Sequence, residues 1–341
     1  FEVPRRDDVA LAAEVTAFAK SKRLVIDTYS VTYGDDKIVR GKMSVVGTSS
    51  IESWADVANR VALGNSLLDP RGAEAQKGEF AAMHHHLRQA SILMSGRHLQ
   101  HGDETQPTRS MEVFSNCSTS ATSFKLFYLL LNGSGVGRAY DDSMIVADLN
   151  YLPITVPVID ALHKDVQSGE ILALDLRSAK HLYGDKIIHV MKVEDSREGW
   201  AKALEKMELM AFQRVYRDDV LLLDFSKVRA RGEPIKGMQN RPASGPGPLI
   251  SAIKNVAQLR DAGMAPWRAA IYADHYLAEC VLVGGARRAA RMATKYWKDK
   301  TVLDFIQVKR GGFLWSSNNS VTVDERFWKA VKKAQHLIDT G

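Results

Sequence analysis

Chemistry in this chain can begin at a thiol. Cys117 lies in the stretch Met111 to Gly137, MEVFSNCSTSATSFKLFYLLLNGSGVG, and is one of two cysteines in 341 residues. A cysteine serves as nucleophile, metal ligand or half of a redox pair, and each role needs particular neighbours. Sixteen residues on, Gly133-Ser134-Gly135-Val136-Gly137 reads as a glycine-rich turn where backbone can touch a ligand. Met111, Val113 and Phe114 are strand formers, which places the thiol at a strand end. Phe124, Phe127, Tyr128 and Leu131 then recur at helical spacing, and Asn132-Gly133 can end that helix. This is a site layout. It is also compatible with a buried cysteine in an ordinary βα unit, since free cysteine is among the most buried residue types.

Other reactive types give weaker patterns. Cys280, 163 residues away, sits among Leu277 and Val281 late in a helical stretch, a core position. The two cysteines make neither a disulfide framework nor a metal-ligand spacing. The triplet His84-His85-His86 falls in a helical stretch, where adjacent side chains diverge by about 100°, so the three do not face one ion. Gly284-Gly285-Ala286-Arg287-Arg288-Ala289-Ala290-Arg291 reads as a cationic loop suited to phosphate or base contacts, or as a solvated helix start. Pro242-Ala243-Ser244-Gly245-Pro246-Gly247-Pro248 leads into a helix at Leu249, a place for an anion or a plain βα loop.

These residues need a scaffold, and the chain is long enough to bury one large core or two smaller ones. It is 45% hydrophobic and 25% charged, with a net charge of +6 that is interspersed rather than blocked. That balance suits anionic ligands and argues against a nucleic-acid binder. No apolar run reaches the roughly 18 residues needed to span a bilayer, the start FEVPRRDDVALAAEV does not read as a signal peptide, and a reduced, cytoplasmic compartment is expected. Helices are expected over residues 8–22, 51–63 and 79–93, giving a mainly helical N-terminal domain over 1–100. His98 to Ser110 is expected as a loop, and Ser143–Val146, Ile154–Val156, Val220–Phe225 and Phe313–Val321 as strands. Helices follow a cap at Ser196 or Asp195, run from 249 to 259 and from 266 to 282, and close the chain from 325 to 338. The apolar run at 220–225 suits a parallel strand covered on both faces, and alternating strands and helices argue for α/β.

Eight blocks go further: SGRHLQ, SNCSTS, LLLNGSGVG, VEDSREGW, LLLDFSKVRARGEPIKG, RPASGPGPLI, LVGGARRAAR and LWSSNNSVTVD. In this order the chain resembles the catalytic chain of ribonucleotide reductases, specifically the adenosylcobalamin-dependent class II. The resemblance runs from about residue 95 to 324, with looser similarity on either side. It implies a helical domain over 1–100, then over 101–341 the first half of a ten-stranded α/β barrel with substrate and effector loops. It implies that Cys117 is the first of two redox cysteines that reduce the ribose 2′ position. Asn116 and Gly135 match substrate-lining positions, and Ser91 a substrate-binding hydroxyl. Gly284, Gly285, Arg287 and Arg288 match a loop that couples a nucleotide effector, a dNTP or ATP, to the choice of substrate. No metal ligand is implied.

The departures shape the expectation equally. The family's N-x-C-x-E motif, its second redox cysteine and its C-terminal shuttle pair have no counterpart here. The expected partners are therefore the C-terminal half of the reductase as a separate chain, a ribonucleotide substrate and a thioredoxin-like reductant. A homodimer is compatible with the pattern. Adenosylcobalamin is expected to be bound mainly by the other half. The rival readings are a non-catalytic nucleotide-binding subunit and a reductase of the same fold that uses a diiron-type radical subunit.

Overall fold

Val57, Ala58, Val61 and Ala62 repeat at helical spacing and are fully buried along α1 (Trp54–Ser66), against Leu87 of α2 (Ala73–Arg88). Trp54 Nε1 donates to Leu87 O at 2.9 Å and ties the two helices. The computed structural model describes residues 24–25, 30–33, 36–39, 54–115, 117–235, 241–283 and 289–340. The chain divides into two units: residues 1–116 with 235–241, and 117–234 with 242–341.

In the first unit, β1 (Leu24–Val25), β2 (Ser30–Tyr33) and β3 (Asp36–Val39) form an antiparallel sheet. Ser-Val-Thr-Tyr in β2 is β-branched and aromatic, so the segment extends. This small sheet stands beside the helices of the mainly helical domain expected over 1–100, and the helix expected at 8–22 lies outside the described residues. The segment 98–110, expected as a loop, contains most of the short helix α3 (Gly96–His101) and a 3-10 turn at Gln106–Thr108. Arg109 braces it by donating Nη1 to His101 O at 2.5 Å.

The second unit holds the parallel α/β structure. β4 (Cys117–Thr119), β5 (Gly135–Ala139), β11 (Arg291–Tyr296) and β12 (Ser317–Thr322) form a fully parallel sheet in the order β12-β11-β5-β4. α4 (Ser123–Leu131) crosses from β4 to β5 and stops at Asn132-Gly133, where Gly133 takes φ 77°. Two expectations are corrected here. Met111–Phe114 is a 3-10 turn opened by Ser110, whose Oγ accepts from Glu112 N, so Cys117 begins a strand instead of ending one. The glycine run is a turn only at its first residues. From Gly135 it is a strand, because Val136 and Arg138 alternate into the interior between two neighbouring strands. Ser143–Val146, expected as a strand, is partly a 3-10 turn (Asp142–Met144).

β6 (Ile154–Val158), β7 (Ile188–Lys192) and β8 (Val220–Asp224) form a separate three-stranded parallel sheet with β8 central. Val220, Leu221, Leu222 and Leu223 are fully buried, as the apolar run requires. The short helices α5 (Lys164–Gln167) and α6 (Leu176–Leu182) join its first strands. α7 (Arg197–Gln213) starts at Ser196, whose Oγ accepts from Gly199 N at 2.9 Å. Two-residue strands β9 (Pro234–Ile235) and β10 (Arg241–Pro242) precede α8 (Gly247–Ala257). α9 (Pro266–Val283) leads toward β11, α10 (Val302–Gln307) toward β12, and α11 (Glu325–Thr340) follows β12. The main core joins α4, α7, α8 and α9, with Leu126, Met207, Ile253 and Leu277 among its buried members. The parallel α/β class is as expected. The sheet expected as the five-stranded first half of a barrel has four described strands, and the other three parallel strands form a sheet of their own.

Candidate functional site

Strand register decides what surrounds Cys117. Cys117 pairs with Gly135 and Thr119 with Gly137, while Gly137 pairs with Met292 and Met292 with Asn318. Directly opposed residues of a sheet project to the same side, and neighbours along a strand to opposite sides. The thiol therefore shares one face with Thr119, Gly135, Gly137, Met292 and Asn318. Ser118, Val136, Arg138, Arg291 and Lys295 occupy the other.

The two faces differ sharply in cover. Val136, Arg138, Arg291, Ala293 and Lys295 are buried, whereas Cys117, Thr119 and Asn318 are exposed and Met292 is 47% exposed. Parallel sheets are ordinarily covered on both faces. Here, among the described residues, one face is open, and it carries the thiol above a floor of two glycines. That floor is shallow: a Cβ placed on Gly137 would come no nearer than 3.8 Å to another atom, Thr119 Cγ2. The four strands start together at one end of the sheet, and Cys117 sits at that end.

The covered face is built from charge. Arg138 Nη1 donates to Asp274 Oδ2 at 2.8 Å and to Ser123 Oγ at 2.9 Å. Tyr140 OH donates to the same Asp274 oxygen at 2.6 Å, and Arg291 Nη2 donates to Tyr140 OH at 3.0 Å. Arg291 Nη1 reaches Ser316 Oγ at 3.0 Å, which bonds His275 Nδ1 at 2.7 Å. Burial, reinforced by the Asp274 charge, pushes the Tyr140 hydroxyl far up. Burial, with the Arg291 and Lys309 charges, lowers His275 to about 4, so it stays neutral. Glu208 of α7 accepts from Ser123 N at 2.9 Å and Phe124 N at 2.7 Å, holding the start of α4 just beyond the cysteine strand. Burial raises the Glu208 carboxyl, and the Arg138 charge and these two N–H bonds oppose that rise. Lys295, fully buried, donates Nζ to Tyr140 O at 2.5 Å and pairs with Asp142 and Asp299.

The structure thus brings together two of the residues singled out in the sequence, Cys117 and Gly135. Ser91 belongs to the first unit, where its Oγ bonds His86 Nδ1 at 2.9 Å. Asn116, Gly284, Gly285, Arg287 and Arg288 lie outside the described residues. Arg291, grouped above with the cationic loop, is instead buried at the start of β11. Cys280 is buried, and desolvation pushes its thiol far above the ordinary range, which leaves it inert. Sequence reading missed Arg138, Tyr140, Asp274, His275 and Ser316. The visible signal was Asp274-His275 inside a largely apolar helix, a pair that needs partners when buried.

Residues 155–260 match the family model described as the insertion domain of B12-dependent ribonucleotide reductase. That segment holds nearly all of the three-stranded sheet and α8. The chain is 32% identical over 307 residues to the putative adenosylcobalamin-dependent ribonucleoside-triphosphate reductase of Mycobacterium phage D29, covering 82% of this chain and 42% of that protein. By sequence the chain is similar to adenosylcobalamin-dependent ribonucleoside-triphosphate reductases over less than half of their length. The Lactobacillus acidophilus adenosylcobalamin-dependent ribonucleoside-triphosphate reductase is 26% identical, with 85% of this chain and 45% of the relative covered. The crystal structure of a B12-dependent (class II) ribonucleotide reductase superposes with a TM-score of 0.65 at 21% identity, over 93% of this chain and 48% of that one. The chain spans less than half the length of these class II relatives.

A corrin ring must be enclosed by a large pocket. The open face offers one wall of small and polar side chains with Met292, so the described residues do not form a cobalamin pocket by themselves. Among them no group of His, Cys, Asp and Glu is arranged to hold a metal ion, and no helix is long and apolar enough to cross a membrane.

Proposed function

We propose that this chain is the N-terminal part of a ribonucleotide reductase that converts ribonucleotides to 2′-deoxyribonucleotides by thiyl-radical chemistry, completed by a second polypeptide that carries the radical cysteine. One observation carries the reading: the register places an exposed thiol and two glycines on the uncovered face of a parallel sheet, where a flat sugar ring can lie against backbone. The family resemblance supplies the reaction class.

In this reading a thiyl radical on the partner takes the ribose 3′-hydrogen. Cys117 and a second thiol on the partner supply two electrons and two protons, one proton leaving with the 2′-hydroxyl as water and one ending on C2′, and become a disulfide, after which the radical cysteine returns the hydrogen to C3′. An external dithiol resets the disulfide. Gly135 and Gly137 keep the ribose close to Cys117, and Asn318, at the far side of the same face, offers an amide to the substrate. The names of the relatives support a triphosphate substrate, and support cobalamin over a diiron-type radical source. The loop at Gly284–Arg288 is the proposed effector contact.

The test combines this chain with a polypeptide supplying the remaining half, adenosylcobalamin, a ribonucleoside triphosphate and a dithiol. Deoxynucleotide formation that needs both polypeptides is expected. Nucleotide binding without any deoxynucleotide would replace this reading with that of a non-catalytic subunit.

A further inference from the structure

The thiol of Cys117 is presented by a strand that has little of its own to hold it in place. β4 is three residues long and pairs with β5 alone among the described residues. Its partner reads Gly135-Val136-Gly137-Arg138-Ala139, so on the open face both residues opposite β4, Gly135 and Gly137, lack side chains. Cross-strand side-chain pairs ordinarily help to pin a register, and glycine-rich strands are prone to slip. A slip of one residue turns every side chain of a strand to the other face. Here it would carry Cys117 to the covered face and bring Ser118 to the open one.

Two hydroxyls on the covered face supply what the glycines do not. Ser118 stands opposite Val136, and Ser134 lies two residues before Val136 in the chain. Ser118 Oγ and Ser134 Oγ share a hydrogen bond of 2.8 Å, and Ser134 is only 1% exposed. Ser134 Oγ also donates to Gly135 O at 3.3 Å, which leaves Ser118 as the donor of the first bond. Ser134 is itself fixed from behind, because its N–H donates to Leu129 O at 2.9 Å in α4. A chain of hydrogen bonds thus runs from the residue after the thiol, through Ser134, to the carbonyl of the residue opposite the thiol. Just past β4, Ser120 N donates to Gly137 O at 3.0 Å. In a slipped register Ser118 turns away and leaves the buried Ser134 oxygen without its donor, which costs free energy.

We infer that Ser118 and Ser134 are positioning residues for the thiol: their hydroxyl pair selects the register in which Cys117 faces the open side of the sheet, opposite Gly135. Both act through β4, from the face behind the site. The consequence for turnover rests on the reductase reading, in which Cys117 must reach the ribose 2′ carbon. A reacting group displaced by about 1 Å loses on the order of a hundredfold in rate. The register itself does not rest on that reading.

Ser118→Thr and Ser118→Val test this, since the two new side chains share a shape and differ in the hydroxyl. Both are β-branched and suit a strand, and Ser118 is only half-buried, so both variants keep the fold. The first readout uses this chain alone and follows amide exchange in the peptide carrying β4 and Ser120. Protection should fall about tenfold in Ser118→Val and stay within about twofold of wild type in Ser118→Thr. Ser134→Ala should reproduce the valine variant, and combining the two should add nothing further. The second readout is deoxynucleotide formation with the remaining half supplied as above. There kcat should fall about tenfold or more in Ser118→Val and recover in Ser118→Thr, with KM within about twofold throughout. Equal protection in the two Ser118 variants would overturn the inference, as would losses from Ser118→Val and Ser134→Ala that add in the double variant. A raised KM at unchanged kcat would overturn it too. Hydroxyl-dependent protection with no product from the wild-type mixture would keep the pair's role in register and remove the reductase reading.

Discussion

Cys117 and Gly135 stand directly opposite one another across β4 and β5, on the face of the sheet that is open among the described residues. That pairing turns a thiol and a glycine, 18 positions apart in the chain, into neighbours with room between them and solvent. Cys280 has the opposite setting, fully packed within the main core.

The two thiols should therefore separate by reactivity. Cys117 is exposed and Cys280 buried. In the native protein a small alkylating reagent should modify Cys117 promptly, and Cys280 only after denaturant is added. Peptide mapping after timed labelling checks this. Equal labelling of both thiols in the native state would contradict the assignment of faces.

Gly137→Ala separates the floor of the site from the stability of the fold. The added methyl finds space, and Gly137 is not among the glycines with positive φ, so the melting temperature should move by no more than the equivalent of about 0.5 kcal/mol. The same methyl stands beside Thr119 on the thiol's face. In the assembled enzyme the KM for substrate should rise severalfold while kcat falls less. An unchanged KM would place the ribose elsewhere.

Arg138 and Asp274 are both buried and 136 positions apart. Removing one partner strands the other charge, so Asp274→Leu or Arg138→Met alone should cost about 3–5 kcal/mol in chemical denaturation. The double variant should recover much of that loss. Additive losses would show that the pair is not a unit.

The sequence carried the elements well where one segment decides its own form. Ser196 opens α7 as its type and position suggested, and Val220–Leu223 form a buried central strand as their composition required. It failed where tertiary neighbours decide. Gly135–Gly137 has turn composition but is held extended between β4 and β11. Met111–Phe114 has strand composition but coils into a 3-10 turn under the Ser110 cap. The cysteine was legible as a candidate, but its open face was not, because a face is a property of register. The network of Arg138, Tyr140, Asp274 and Arg291 was illegible because its members meet only after the sheet and α9 assemble.

His275 gives the fold an acid-side dependence on pH. It is buried, bonded to Ser316 and set beside the Arg291 charge, and its pKa falls to about 4, although Glu279 lies 3.4 Å from Nε2. The unfolded chain takes up this proton near pH 6.5, whereas the folded chain holds out to about pH 4. Unfolding thus binds a proton in that window, and stability present above about pH 6.5 is lost as pH falls toward 4, by up to about 3 kcal/mol. His275→Gln should flatten the dependence of stability on pH between these limits. An unchanged slope would mean that His275 is protonated in the native state.

The most direct measurement is multiple-turnover deoxynucleotide formation by the assembled enzyme with a dithiol as reductant, comparing the wild type with Cys117→Ser. Turnover should fall by about a thousandfold or more, while substrate binding stays within about twofold of wild type. Full turnover by Cys117→Ser would contradict the role given to this thiol.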